Sequence, residues 1–289
     1  MNQLYYKQRE FSGKDLQLGL VILYQNWRKE EKDMGYYAYH LGLREEDIAG
    51  ATLAFLPGDP ERTLTLASFG KSCYQLAYHR EFKTVLSCGD WGNVLIVSTG
   101  IGGPSLAIAV EELAALGCRQ FIRVGTCGAI QKEIVPEDLI ISEGAVRMDG
   151  TSDHYAPLSY PACAHWDMVK IICQACEQLK YRYWTGITCS SASFYPGQER
   201  YNTFSGYVPR NLRGTMEEWQ RLGVLNYEME VATLFTVARA LGLKAGAVCG
   251  VLVNRQQEEE VKPEMVEKVE QKLAQVVAKV SEIILTGKS

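Results

Sequence analysis

A chain of 289 residues that is 47% hydrophobic and 22% charged has the composition of an ordinary globular protein, long enough for one large α/β domain or two small ones. Its formal charge of −4 and pI near 5.7 argue against a nucleic-acid or anionic-membrane surface, so any anion must be met by local arginines. Nine cysteines, an odd number lying mostly inside apolar runs, read as reduced, buried thiols. Cys173 and Cys176 form a lone CxxC within a helical pattern, and the four histidines have no zinc spacing.

The first 35 residues read as an N-terminal helical extension. Ser12 with Asp15 resembles a capping box, and Leu16, Leu20, Leu23 and Trp27 recur on one helical face, which suits docking on the body or on a neighbouring subunit. The apolar run LGLVILY at 18–24 is far below the ~18 residues of a membrane span, and no small-residue cleavage site follows, so a cytoplasmic location is expected. From about residue 50, strands are expected at 52–56, 76–79, 84–88, 94–99, 120–125, 138–146, 183–190 and 245–253. Helical patterns fall at 59–68, 103–117, 163–179, 214–221, 229–241 and 261–286. The alternation predicts a three-layer α/β/α sandwich around a central mixed sheet, as one domain over residues 36–289.

Six short stretches carry chemistry. In FLPGDPER, Asp59 suits an N-cap with Pro60 after it, which puts Arg62 in a helix's first turn. It is either a solvated cation or part of an anion clamp with the Gly58 backbone. STGIGGPS lacks the GxGxxG spacing, and its glycines fit either close backbone approach to a ligand or a tight turn. FIRVGTCGAI places Arg123 inside a buried strand, where a guanidinium must be paired or ligand-bound, with Thr126 and two glycines at the strand's carboxyl end.

FYPGQERY crowds an amide, a carboxylate and a guanidinium into a loop whose turn needs only Pro-Gly. NYEMEVATLF leads into a helix through Glu228 and Glu230. One carboxylate is accounted for by helix capping, and one facing a cleft could accept both hydroxyls of a sugar diol. GVLVNRQQEEEV ends a strand in Asn254 and Arg255, and its acidic run 258–260 reads as solvated.

Taken in order, YHLGL, LPGDPER, AYHREF, STGIGGPS, RVGTCGAI, FYPGQERY, GTMEEWQ, NYEMEVATL and GVLVNR closely resemble the bacterial-type uridine phosphorylases of the hexameric nucleoside phosphorylase superfamily. The resemblance covers about residues 36–286 and implies the fold of that superfamily and reversible phosphorolysis of uridine, a pyrimidine-salvage reaction with phosphate as co-substrate and no organic cofactor. It implies phosphate held by Gly58, Arg62, Arg123 and Thr126, with Arg80 from a neighbouring subunit. Ribose would be held by Glu230 and Met229, with His40 again from the neighbour. Uracil would be read by Gln198 and Arg200 and stacked by Phe194, with Arg255 helping the leaving base. The resemblance also implies a hexamer, a trimer of dimers with shared sites, and carries a potassium site at Glu81, Ile101 and Ser105.

Cys127, the SAS before Phe194 and Val231 depart from the usual pattern beside contact positions. Two rival readings remain: a purine nucleoside phosphorylase or nucleosidase on the same fold, and a non-catalytic nucleoside-binding regulatory protein. The first would be expected to have an Asp after the last core strand, and residues 245–260 have none. The second would be expected to lose a phosphate arginine or Glu230, and all are present.

Overall fold

The computed structural model describes residues 35–257 and 259–287. The capping box and apolar face expected at 12–27 lie outside the described residues. The chain divides into two compact units, residues 1–37 and 38–289, and everything below concerns the second.

Among the described residues, ten strands form one mixed sheet. In chain order they are β1 (Leu53–Leu56), β2 (Ser72–His79), β3 (Phe82–Gly89), β4 (Gly92–Val97) and β5 (Gln120–Ala129). There follow β6 (Leu139–Met148), β7 (Ala162–Cys163), β8 (Tyr183–Ser191), β9 (Asn226–Glu228) and β10 (Lys244–Asn254). The spatial order is β9-β8-β6-β10-β5-β1-β4-β3-β2, with β7 on β6. The centre, β10-β5-β1-β4, is parallel. Strands buried on both faces have no reason to alternate, which is why LAFL and VLIV are continuous apolar runs. The β4-β3-β2 end is an antiparallel meander. β9 pairs parallel with β8 and also antiparallel with β5, so this end of the sheet curls back on itself.

Among the described residues there are six α-helices: α1 (Arg62–Ala67), α2 (Gly103–Leu116), α3 (Trp166–Gln178), α4 (Thr215–Arg221), α5 (Val231–Ala240) and α6 (Pro263–Thr286). α1 and α3 both pack on α6, while α2 packs on α5, giving helices on both sides of the sheet. The apolar faces of α1, α2, α3, α5 and α6 share one core with the sheet, from Leu53 and Phe55 through Phe121 and Phe235 to Val277, while Met216 and Trp219 of α4 pack in a smaller cluster with Cys189 and Tyr227.

Three expectations shift. The edge strand β2 begins at Ser72, four residues before the expected start, because Cys73, Tyr74 and Gln75 are exposed and lack an apolar alternation. Residues 226–228, read as the approach to a helix, form β9, a strand too short to show a period. Thr126 and Gly128 lie within β5, which runs on to Ala129.

Candidate active site

A cavity of about 710 Å³ opens where the ends of β1 and β4 face β5, β9 and the loop after β8. At one end stand Gly58, Arg62, Arg123 and Thr126. At the Pro-Gly turn after β1 a Cβ on residue 58 would sit 3.1 Å from the Gly100 carbonyl, a tight contact that glycine avoids. Asp59 Oδ1 accepts the Glu61 N–H at 2.8 Å, so the expected cap is a tight turn just ahead of α1, and Arg62 opens the helix. Arg62 Nε donates to Glu270 Oε1 at 2.6 Å.

Arg123, only 5% exposed, proves to be both ion-paired and cavity-facing. Its Nε donates to Glu228 Oε2 at 3.2 Å, one Nη pairs with Glu230, and the other Nη is buried with no hydrogen-bond partner. Burial works against the charged guanidinium, yet Glu230 and Glu228 together hold it above its ordinary pKa. An unpartnered buried N–H on a residue that lines a cavity is a donor still to be satisfied.

The two carboxylates before α5 divide the work. Glu228 accepts from the Glu230 and Val231 backbone N–H groups at 2.8 and 3.0 Å and from the Ser190 hydroxyl, so its acceptors are consumed in capping the helix and holding Arg123. Glu228, Met229 and Glu230 all line the cavity, and Glu230 is the carboxylate not spent on the cap. It is 2% exposed, pairs with Arg123 and accepts the Gly102 N–H at 2.5 Å. Gly102 has φ +100°, which a side chain would strain, and this turn aims its N–H at the carboxylate. Burial raises the Glu230 carboxyl above the usual range; Arg123 opposes the rise and Glu228 adds to it.

At the far end stand Phe194, Gln198 and Arg200. Pro196–Gln198 form a 3₁₀ turn, and Glu199 in the left-handed conformation follows, so Gln198 and Arg200 are both buried while Phe194 stays 47% exposed. The Arg200 guanidinium lies 4.3 Å from the Phe194 ring centroid, a cation–π stack. The Gln198 side-chain amide makes no hydrogen bond among the described residues, and Arg200 Nε is buried without a partner. Glu199 accepts the Gly214 and Met216 N–H groups at 2.5 and 2.8 Å, tying the loop to α4.

Glu259 departs from expectation. Read as solvated, it lines the cavity and pairs with Arg200 and, at 2.7 Å, with Arg255 Nε. Burial and the adjacent Arg255 push the Arg200 guanidinium below its ordinary pKa, and Glu259 opposes them. Arg255 itself stands behind the cavity wall, donating to the Gln198 carbonyl at 2.6 Å, so it supports the loop where a direct approach to the leaving base was expected. No local signal in a run of three glutamates marks the middle one; only the chain path after β10 selects it.

Besides Arg255, two further residues expected in the site, His40 and Arg80, are not among those lining it in this chain. His40 Nδ1 lies 2.6 Å from Glu112 Oε1, and Arg80 is exposed at the tip of the β2–β3 hairpin with φ +56°. They share one surface with Glu81. The Glu81 carboxyl is held below the usual range chiefly by its own backbone N–H, with Ser105, Arg80 and His40 adding. The Ser105 hydroxyl donates to Glu81 at 2.9 Å, and Ile101 is exposed beside them. Among the described residues no group of three or more His, Cys, Asp or Glu could hold a metal, and no helix is long and apolar enough to cross a membrane.

Comparison with known proteins follows the same pattern. The family model described as Phosphorylase superfamily matches residues 52–286. Uridine phosphorylase of Escherichia coli (strain K12) is 47% identical over 247 residues, covering 86% of this chain and 98% of that protein. Uridine phosphorylase of Haemophilus influenzae is 45% identical over 248 residues, covering 86% and 98%. Guanosine phosphorylase of Halorubrum lacusprofundi is 36% identical over 212 residues, covering 73% and 81%.

Proposed function

The chain belongs to the phosphorylase superfamily, and from that premise we propose that it is a pentosyltransferase catalysing the reversible phosphorolysis of uridine to uracil and ribose 1-phosphate. The observation that carries the reading is that one cavity is lined by a buried Arg123 paired with Glu230 and by an Arg200 stacked on Phe194 beside Gln198. Phosphate occupies the end formed by Gly58, Arg62, Arg123 and Thr126. Glu230 accepts the ribose hydroxyls, with Met229 against the sugar. Uracil stacks on Phe194 and meets Gln198 and Arg200.

Cleaving the bond between sugar and base passes through an oxocarbenium-like sugar while negative charge builds on the uracil ring. Phosphate is nucleophile and counter-charge together, and the arginines hold it in line for attack. Arg200 and the Gln198 amide are fixed donors for the departing base; Arg255 and Glu199 keep them preorganised from behind. Gln198 also favours uracil, whose N3 proton sits beside a carbonyl; cytosine lacks that proton and would leave buried groups unpaired.

Arg80 and His40 complete the phosphate and ribose ends from a neighbouring subunit, in a hexamer built as a trimer of dimers. Glu81, the Ile101 carbonyl and Ser105 form an all-oxygen donor set with one negative charge, which suits a potassium ion held between subunits.

Base release from uridine, thymidine and inosine, each with and without phosphate, tests the reading. Uridine cleaved only with phosphate is expected; phosphate-independent cleavage or a preference for inosine would sink it. Sedimentation as a fully active monomer would refute the shared site.

A further inference from the structure

Arg62 borders the cavity but is not held by it. Its Nε donates to Oε1 of Glu270 at 2.6 Å, with the two side chains only 14% and 20% exposed. Glu270 lies two turns into α6, 208 residues away in the chain, and in none of the motifs that identify the site. The packing of α1 on α6 brings the pair together. Neither Nη of Arg62 makes a hydrogen bond among the described residues.

A guanidinium carries five N–H donors in a rigid plane, and a carboxylate on Nε uses one edge and leaves another free. Arg62 stands on a six-residue helix at the cavity rim, and an arginine there would otherwise sample many rotamers. The Glu270 bond removes that freedom before any ligand arrives, leaving the terminal nitrogens for an anion. The same carboxylate also lowers the local positive charge, so its two effects oppose each other. The carboxylate and a bound anion take different edges of the guanidinium, with the positive charge between them, so orientation prevails over repulsion.

We propose that Glu270 is the positioning residue for the phosphate co-substrate, setting its affinity by holding Arg62 in the binding rotamer without touching phosphate itself. The proposal rests on the assignment of Arg62 to phosphate made above. The acceptor at Nε is what counts, so geometry and charge are separable. Glu270→Gln keeps an acceptor oxygen at the same reach and loses the charge. Glu270→Asp keeps the charge on a side chain one methylene shorter, which falls short of Nε.

The test measures phosphate KM, uridine KM and kcat at saturation for the wild type, Glu270→Gln, Glu270→Asp, Glu270→Ala and Arg62→Ala, with thermal unfolding to verify folding. Phosphate KM is expected to rise about tenfold in Glu270→Asp and Glu270→Ala and to stay within about threefold in Glu270→Gln; kcat and uridine KM should stay within about twofold. An Arg62→Ala enzyme with unchanged phosphate KM would remove the phosphate assignment itself. A raised KM in Arg62→Ala, with Glu270→Asp and Glu270→Gln both at wild-type values, would overturn the role of Glu270 alone. So would a reversed order, with Asp tolerated and Gln not, or a lowered KM in Glu270→Ala, since either would make charge the controlling term.

Discussion

Replacing Arg123 with Met keeps the length and apolar bulk of the side chain but leaves Glu228 and Glu230, 4% and 2% exposed, facing one another with no cation between them. Removing one member of a buried ionic group costs about 3–5 kcal/mol. An independent route gives a similar figure. One carboxyl escapes by staying protonated in the folded state, while its unfolded pKa remains near the ordinary 4.5. Holding that proton at pH 7.5 spans about 3 pH units at about 1.36 kcal/mol each, or about 4 kcal/mol.

The sign follows from linkage. The folded pKa is raised, so the folded state binds the extra proton and stability falls as pH rises from 4.5 toward the folded pKa. Urea unfolding at pH 5, 6, 7 and 8 should therefore show a deficit of about 1 kcal/mol at pH 5 that grows to about 5 kcal/mol near pH 8, and phosphate KM should rise by at least about tenfold. A deficit that is flat across this range, or one below about 1 kcal/mol at pH 8, would refute the coupled triad.

Further outcomes follow from the same geometry. On the proposed assignment only an ionised Glu230 would accept both sugar hydroxyls, and its pKa is raised, so kcat/KM for uridine should climb with pH through a limb above the ordinary carboxylate range; Glu230→Gln should flatten that limb and lower activity about a hundredfold. Glu199→Ala removes the acceptors for the Gly214 and Met216 N–H groups, and should raise uridine KM about tenfold while leaving phosphate KM unchanged, as separate titrations would reveal. Burial pushes the Cys118 and Cys176 thiols up to about 12, so in a thiol-labelling time course exposed Cys163 should react in the native protein and these two only after unfolding.

Much of the fold was legible because its signals are local. LAFL and VLIV, buried on both faces, need no partner to be recognised as strands. FYPGQERY was likewise legible, since a turn needs Pro-Gly and nothing in a turn needs Gln198 or Arg200. What stayed hidden was either short or distant. β9 is three residues long, and the exposed start of β2 has no apolar alternation.

The sequence by itself determined the layered fold, the class of reaction and most of the side chains that face the cavity, because motif and periodicity are properties of neighbouring residues. Only the tertiary structure decided how the charges are shared. It spent Glu228 on the helix cap while Glu230 took Arg123 and the Gly102 N–H, left Arg255 off the cavity lining, brought Glu259 out of an acidic run onto Arg200, and set Glu270 against Arg62. The physical reason is that an ion pair depends on distance in space, and residues 105 or 208 positions apart in the chain meet only once the sheet and α6 are in place.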